Sequence, residues 1–204
     1  MALPSLRPDW AAVLQATPRL QALIASIGTL PPTHRKLTAE IIMIRLFLLL
    51  ETTFTSVAPK LLCGAKYLDG TTPARLVTPR SIAAALGEMK SHCRTQPKNY
   101  LRWTDSRSIR SNLKHTLAPS DPFFASVAAH GSLLTEMRFV RNQIAHSNSR
   151  TRINFRTVVV RHLGGVMRGI TPGLLLLTPR LGPPCLLEQY VISSRVIIRA
   201  LLRL

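Results

Sequence analysis

The segment FVRNQIAHSNSRTR, from Phe139 to Arg152, places a cation, an amide and an imidazole within a short stretch, as Arg141, Asn142 and His146. A histidine exchanges protons near neutral pH. An arginine offers fixed charge to a phosphate that gains charge in its transition state, and an adjacent asparagine can orient either group. Together these side chains suit metal-free cleavage of RNA, in which the ribose 2′-OH attacks the neighbouring phosphate and no protein nucleophile is needed.

A helix from about residue 132 to residue 147 decides how these side chains can meet. Asn142 and His146 form an i, i+4 pair opposite the apolar stripe, so their side chains can touch. Arg141 lies about 140° around the helix from His146, and a second copy of the helix would close that gap. The alternative is a histidine that only ends a helix favourably at its negative pole. The stripe predicted to face the core is Leu133, Met137, Val140 and Ile144.

Phe139 falls on the same outward side of this helix as His146. An outward phenylalanine is better explained by a protein interface than by contact with water. Phe139 is therefore predicted to lie at or near the interface of a homodimer.

Competing chemistries lack their motifs. The chain has no GxxxxGK[ST] phosphate loop, no GxGxxG after a strand and no HExxH. Its 9 acidic residues are scattered, unlike a two-metal nuclease site, and its 6 histidines show no ligand spacing. We therefore expect no metal and no cofactor, with Arg141 and His146 as the best catalytic pair.

The elements that must position this pair are predicted to be helices. A capping side chain comes directly before a proline in three places: Thr17-Pro18, Thr78-Pro79 and Asp121-Pro122. They predict helices near 18–28, 79–92 and 122–130. The run KLTAEIIMIRLFLLLETTF has no helix breaker and predicts a long helix near 34–57. SRSIRSNLKHTL is also helical in pattern, and Ser132 is the predicted cap of the motif helix.

The chain after Arg152 gives weaker signals. INFRTVVVRHL fits a short helix or a strand, and VMRGITPGLLLLTPRLG fits a small β-hairpin. The fold class expected is all-α: one helical domain over 1–204, with an N-terminal helical extension in 1–30, a helical core in 31–204 and the hairpin before the C-terminal helix. That last helix, CLLEQYVISSRVIIRALLRL, is amphipathic, and its predicted buried residues are Leu187, Val191, Ile198 and Leu202.

The charge balance points to a polyanionic partner. The 204 residues include 27 Lys+Arg against 9 Asp+Glu, for a formal net charge of +18. Most of the cations are arginines, which suit two-point contact with phosphate. The alternative is a solvated surface in a chain from an arginine-rich proteome.

No membrane association is expected. The most apolar run, IIMIRLFLLL, is interrupted by Arg45 and closed by Glu51, so it predicts a buried core helix. The first residues lack a basic region followed by an apolar one, so no secretory signal is visible. An odd number of scattered cysteines, with no CxxC pair, fits unpaired thiols in a reducing cytoplasm: Cys63, Cys93 and Cys185.

The motif R-N-Q-I-A-H resembles the R-x4-H pattern of the HEPN superfamily, including the polar residue directly after the arginine. Its setting, a short capped helix and then an apolar-striped helix ending in the motif, is also similar to that family, as is a long earlier helix with an embedded acid, LFLLLETTF. The resemblance covers roughly residues 34–204, but only the motif region is specific. The long segment after Arg152 and the first thirty residues depart from what the motif predicts.

The resemblance implies a helical bundle that pairs into a homodimer, with two motif helices lining a shared cleft. Many members of the family are metal-independent endoribonucleases that act as toxins, in phage defence or in RNA processing. By that resemblance Arg141 and His146 would be catalytic and Asn142 would support them. Glu51 would be an auxiliary polar group, and its alternative is a carboxylate that pairs with a nearby cation.

Basic residues outside the motif are candidates for binding RNA. Arg107, Arg110 and Lys114, at i, i+3 and i+7, would form one basic helix face. Tyr100 and Trp103 lie just upstream and could stack on unpaired bases, although core packing is the better explanation of Trp103. The residues predicted to hold the substrate backbone are Arg150, Arg152 and Arg156.

The sequence therefore predicts a homodimeric, cytoplasmic, metal-independent endoribonuclease of the toxin or phage-defence type. A helical protein that binds RNA or nucleotides without catalysis is one alternative. An adaptor for a partner protein, such as the antitoxin of a toxin–antitoxin pair, is the other.

Overall fold

The structure, a computed structural model, describes residues 3–179 and 184–204. These residues form nine α-helices, a short 3-10 turn at Ile27–Thr29 and no β-strand, which confirms the predicted all-α class. The helices are α1 (Arg7–Ser26), α2 (Pro32–Leu62), α3 (Ile82–Ser91), α4 (Ser106–Leu113), α5 (Pro122–Ala129), α6 (Gly131–His146), α7 (Ser149–Leu163), α8 (Pro172–Leu177) and α9 (Leu186–Leu202).

The described residues belong to two compact units. One unit draws on 3–14, 50–134 and 196–204, and the other on 15–49, 135–179 and 184–195. Helices α1, α2, α6 and α9 each contribute residues to both units. The prediction of one domain with an extension in 1–30 stays a prediction.

The first unit is built around the start of α5. Asp121 is buried, and its carboxylate accepts hydrogen bonds from the Phe123 N–H at 2.9 Å, the Tyr67 hydroxyl at 2.5 Å and the Ala74 N–H at 2.8 Å. A buried carboxylate is tolerated because donors satisfy both of its oxygens. The ring of Phe123 packs edge-on against Phe54, with centroids 6.2 Å apart.

The second unit includes a close contact between two of its helices. Gly173, in α8, lies so near α2 that a Cβ atom there would fall 2.5 Å from the carbonyl oxygen of Lys36. The Gly173 N–H also donates a hydrogen bond to Glu40 at 2.9 Å. Glycine is therefore required at this position because a side chain would overlap a backbone atom. Other buried side chains of this unit include Ile42, Leu46, Phe155, Leu175 and Tyr190.

Two of the three predicted helix starts are wrong in detail. Pro18 lies inside α1 rather than at its start. Pro18 is exposed, whereas Val13 and Leu20 of the same helix are buried. Their burial outweighs the tendency of Thr17-Pro18 to start a helix. Helix α3 begins at Ile82, because the side chain of Ser81, and not Thr78, accepts a hydrogen bond from the Ala84 N–H at 3.1 Å.

The other helix boundaries follow the sequence more closely. Asp121 and Pro122 begin α5 as predicted. The long helix near 34–57 is present but extends over Pro32–Leu62. The motif helix begins at Gly131, so Ser132 lies within it instead of capping it.

The chain after Arg152 is helical where a β-hairpin was predicted. INFRTVVVRHL is entirely within helix α7, and the run PGLLLL forms α8 behind the capping side chain of Thr171. Of the described residues after Arg152, Pro179 and Cys185 form an isolated antiparallel bridge, and 180–183 lie outside the described residues. A Thr-Pro cap followed by leucines favours a helix, which explains the difference. The four residues predicted to be buried in α9 are buried: Leu187, Val191, Ile198 and Leu202.

Helix α2 carries an exposed apolar face in its first half. Leu37, Ile41, Ile44 and Leu48 are 55%, 47%, 37% and 55% exposed and recur at alternating intervals of four and three residues. In the described part of the chain, α2 is also the one helix long and apolar enough to cross a membrane, by length and composition alone, and half of its most apolar window is buried. Core helices and signal sequences pass the same test, so the expected absence of a membrane stays a prediction.

Candidate active site and basic surfaces

The motif histidine lies at the corner between two helices. Helix α6 ends at His146 and α7 begins at Ser149. The Asn148 side chain accepts a hydrogen bond from the Thr151 N–H at 3.0 Å, and the Thr151 hydroxyl accepts one from the Asn148 N–H at 3.0 Å. This reciprocal capping box satisfies donors at the start of α7, so the local sequence SNSRT is sufficient to end one helix and begin the next.

Arg141 is half-buried and held on two sides. Its guanidinium carbon lies 5.8 Å from the centroid of the Phe47 ring, a cation–π contact. Its Nη1 donates a hydrogen bond to Oδ1 of Asn142 at 3.1 Å. An arginine has five N–H donors, so most of the fork remains available for a phosphate. Asn142, which was predicted to be able to orient either Arg141 or His146, contacts Arg141 here, and the catalytic role of both residues stays a prediction.

His146 is exposed, as the helix geometry predicted. In the described chain its side chain makes no hydrogen bond to Asn142 or Arg141, although Asn142 lies one turn before it. Five positions along a helix turn a side chain by about 140°, so Arg141 and His146 of one helix do not converge on a single atom.

The predicted core stripe of α6 is correct at its centre and wrong at its ends. Met137 and Val140 are fully buried, but Leu134 is buried in place of Leu133, and Ile144 is only half-buried. The buried face is rotated because Glu136 also points inward.

Glu136 forms a buried polar cluster with three side chains of the second unit. Its Oε1 lies 2.6 Å from Nε2 of His162 and accepts a hydrogen bond from the Tyr190 hydroxyl at 2.7 Å. Its Oε2 accepts one from Arg161 at 2.9 Å. The cluster joins α6 to α7 and α9, and so fixes the helix that carries Arg141. Nδ1 of His162 is buried and has no hydrogen-bond partner among the described residues.

The electrostatics of this cluster stabilise the ionised carboxylate. Burial raises the pKa of Glu136, but the hydrogen bonds from His162, Tyr190 and Arg161 outweigh it and lower the pKa below its ordinary value. Burial, together with the charge of Glu136, raises the pKa of Tyr190. Glu136 was not among the residues predicted from the sequence. The available signal was an acid one turn before Val140, on the core face of the helix.

Glu51 lies in a different unit from the motif. It is half-buried in α2 and belongs to the first unit, whereas Arg141 and His146 belong to the second. Its auxiliary role stays a prediction. Phe139, the predicted interface residue, is half-buried rather than fully exposed, and the guanidinium carbon of Arg138 lies 5.3 Å from its ring centroid.

The predicted RNA-binding cations are all exposed. Arg150, Arg152 and Arg156 lie on α7, where Arg152 and Arg156 are one turn apart on one face. Arg107 and Arg110 lie on α4, and Lys114 follows its last residue. These two basic surfaces belong to different units.

A cleft of about 430 Å³ lies beside α4 in the first unit. Tyr100 is 61% exposed in its lining, whereas Trp103 is 7% exposed, as expected for core packing. Tyr100 and Arg107 were predicted from the sequence as candidates for binding RNA, whereas Lys98 and Arg102 were not. The missed signal is the alternation of cations and aromatic residues in KNYLRW. The lining comprises Lys98, Asn99, Tyr100, Arg102, Arg107, Ser108, Ser111 and Asn112.

Among the described residues, no group of three or more His, Cys, Asp or Glu side chains is placed to hold a metal ion. Cys63, Cys93 and Cys185 are free thiols. Burial raises the pKa of Cys63 and of Cys185, so neither is activated as a nucleophile.

Comparisons with known proteins give no relatives. The chain matches no model of a known protein family, no curated protein sequence and no solved structure.

Proposed function

We propose that this protein is a HEPN-like, metal-independent endoribonuclease of the toxin or phage-defence type, acting as a homodimer. The observation that carries the proposal is the pair on α6: a half-buried arginine held by Phe47 and Asn142, and an exposed histidine at the end of the same helix. The formal net charge of +18 supports a polyanionic substrate.

In this reaction Arg141 binds the scissile phosphate and His146 moves protons. The 2′-oxygen of the ribose bonds to phosphorus while its proton passes to a histidine. The bond between phosphorus and the 5′-oxygen breaks, and that oxygen receives a proton. The products are a 2′,3′-cyclic phosphate and a free 5′-OH, so protons and electrons balance without a metal or a protein nucleophile.

A second copy of the chain would complete this site. Since Arg141 and His146 diverge on one helix, two facing copies of α6 would place an arginine of one copy beside a histidine of the other. The exposed arginines of α7, which follow the motif directly, would hold the RNA backbone on either side.

The test is cleavage of end-labelled RNA by the purified protein in excess EDTA. We expect cleavage of RNA but not of DNA of the same sequence, with 2′,3′-cyclic phosphate ends. His146→Ala should lower the rate by roughly two to four orders of magnitude, the usual contribution of a general acid or base, and should leave binding nearly intact. Arg141→Ala should weaken both binding and cleavage.

The matched control is His34→Ala, which removes another exposed histidine on α2. Its activity should equal that of the unmodified protein. Cleavage that survives His146→Ala, or fragments with a free 3′-hydroxyl, would show that the proposed mechanism is wrong.

A second candidate function is RNA binding without cleavage. The observation that favours it is the cleft beside α4, where cations and an exposed tyrosine occur in the unit that does not contain the motif. Tight RNA binding with no cleavage by the unmodified protein would favour this candidate.

A further inference from the structure

The cleft beside α4 has walls that are fixed by a buried asparagine. Asn112 is 1% exposed, and its amide donates a hydrogen bond to the carbonyl oxygen of Arg102 at 2.8 Å. Its Oδ1 accepts a hydrogen bond from the Lys98 ammonium at 2.8 Å. One side chain thus joins the segment 98–102 to α4. A site whose walls are held in this way loses little conformational entropy on binding.

The ammonium group of Lys98 is oriented by two hydrogen bonds. It donates to Oδ1 of Asn112 and to Oγ of Ser111, the latter at 3.0 Å. An ammonium has three N–H donors, so one remains for a ligand. Burial, and the nearby charge of Arg94, lower the pKa of Lys98. A bound anion would favour the charged ammonium and so oppose both effects.

Arg94 contributes charge without occupying the cleft. Its guanidinium donates hydrogen bonds to the carbonyl oxygens of Met89 and Ser111, the second at 2.5 Å. Cations are favourable at such carbonyls near a helix C-terminus. The charge of Arg94 therefore lies near the cleft, while its guanidinium is used in structural hydrogen bonds.

Tyr100 supplies an aromatic surface among these cations. Its hydroxyl accepts a hydrogen bond from Arg102, whose guanidinium carbon lies 5.5 Å from the ring centroid. The ring is 61% exposed, so a planar group can stack on it. Aromatic side chains and arginine guanidinium groups are the surfaces on which proteins stack unpaired bases.

The lining has no acidic side chain to oppose an anion. The nearest acid in sequence, Asp105, is 8% exposed and caps α4, where its carboxylate accepts hydrogen bonds from the Ser108 N–H and hydroxyl, both at 2.9 Å. Arg107 is exposed at the cleft. Three cations and one aromatic ring thus line the same space, and Asp105, whose charge also reaches Arg102, is not part of the lining.

We propose that this cleft binds one nucleotide of a single-stranded nucleic acid, its phosphate on Lys98, Arg102 and Arg107 and its base stacked on Tyr100. The identification of that strand as RNA rests on the proposed function, but the binding does not. The site lies in a different unit from the motif and would hold the strand whether or not it is cut.

The experiment measures fluorescence anisotropy of a labelled oligouridylate with full-length protein carrying His146→Ala, so that cleavage is slow during the measurement. Adding Tyr100→Ala should weaken binding by about 10-fold, the usual loss of one stacked base. Tyr100→Phe should retain most of the affinity because the ring is kept. Arg107→Ala should weaken binding and lower the slope of log affinity against log salt by about 1.

The matched control is Arg110→Ala, which removes an exposed arginine of α4 outside the cleft lining. A discrete cleft predicts a smaller effect here than for Arg107→Ala, whereas a diffuse basic surface predicts equal effects. Uridine monophosphate should compete for the cleft better than inorganic phosphate, and duplex RNA should compete poorly because its bases are paired.

Equal losses for Arg107→Ala and Arg110→Ala, or unchanged binding in Tyr100→Ala with its thermal unfolding intact, would overturn the proposal. Competition by inorganic phosphate equal to that of uridine monophosphate would also overturn it. If the unmodified protein cuts no RNA but these binding differences hold, the ribonuclease proposal fails and the nucleotide site remains.

Discussion

Glu136 illustrates, at the scale of one residue, how a charge can be both buried and stabilising. Its carboxylate is 6% exposed, yet His162, Tyr190 and Arg161 surround both oxygens. Breaking a buried pair is costly because the remaining partners lose their compensation. The cluster lies one to two turns before Arg141 on the same helix, so its loss would also disturb the motif.

We expect Glu136→Gln to lower the free energy of unfolding at pH 7 by about 2–4 kcal/mol. The folded-state pKa of Glu136 is depressed, so its contribution is present above the ordinary carboxyl pKa and is lost as pH falls through the folded-state pKa. The difference between the two proteins should therefore shrink in acid. Urea unfolding at pH 7 and in the acid range measures this.

The control is Glu88→Gln in α3, which removes a glutamate whose side chain is 40% exposed and pairs with His92 at 2.9 Å. Solvent screens exposed pairs, so stability should change little. An equal loss in both variants, or a Glu136→Gln effect that is constant with pH, would contradict the buried cluster as its cause.

At the scale of the helices, the contact between α8 and α2 depends on the absence of a side chain. A Cβ on Gly173 would overlap the backbone of Lys36, which cannot rotate away. We expect Gly173→Ala to destabilise the protein by about 1–3 kcal/mol, the usual cost of overpacking. Differential scanning calorimetry would record this as a lower Tm.

Gly87→Ala gives the matched comparison. Gly87 lies inside α3, and a Cβ there would meet no atom within 4 Å. Alanine has the higher helix propensity, so this variant should be more stable by about 0.5–1 kcal/mol. An unchanged or higher Tm for Gly173→Ala would show that α8 and α2 do not approach closely at this position.

At the scale of the whole molecule, the proposed activity requires two copies of the chain. Phe139 is half-buried on the helix that carries the motif, with Arg138 beside its ring. We expect Phe139→Asp to dissociate the dimer and to lower cleavage in parallel, because a charge at an apolar contact is costly to bury. Light scattering and cleavage assays on the same samples measure both.

Ile192→Asp is the control for that experiment, since Ile192 is 51% exposed on α9 and should tolerate the change. Circular dichroism of both variants establishes that they fold. A monomeric protein that still cleaves RNA would exclude a cleft shared between two copies.

The sequence by itself determined the helical class and much of the local geometry. The caps at Asp121 and Asn148 involve partners within three residues, and the buried face of α9 follows from the helical period alone. The exposure of His146 follows from the same helical period. These features were predictable because their causes lie within a few residues of the chain.

Only the tertiary structure decided which distant residues meet. Glu136 with Tyr190, Lys98 with Asn112 and Gly173 with Lys36 are contacts between separate elements, and no local pattern specifies them. Helix α1 also continues through Pro18 because side chains on its inner face are buried, although Thr17-Pro18 is a local signal for a helix start. The physical reason is that helix starts and faces arise from short-range hydrogen bonds and periodicity, whereas buried charges, clefts and close helix contacts depend on how the helices pack.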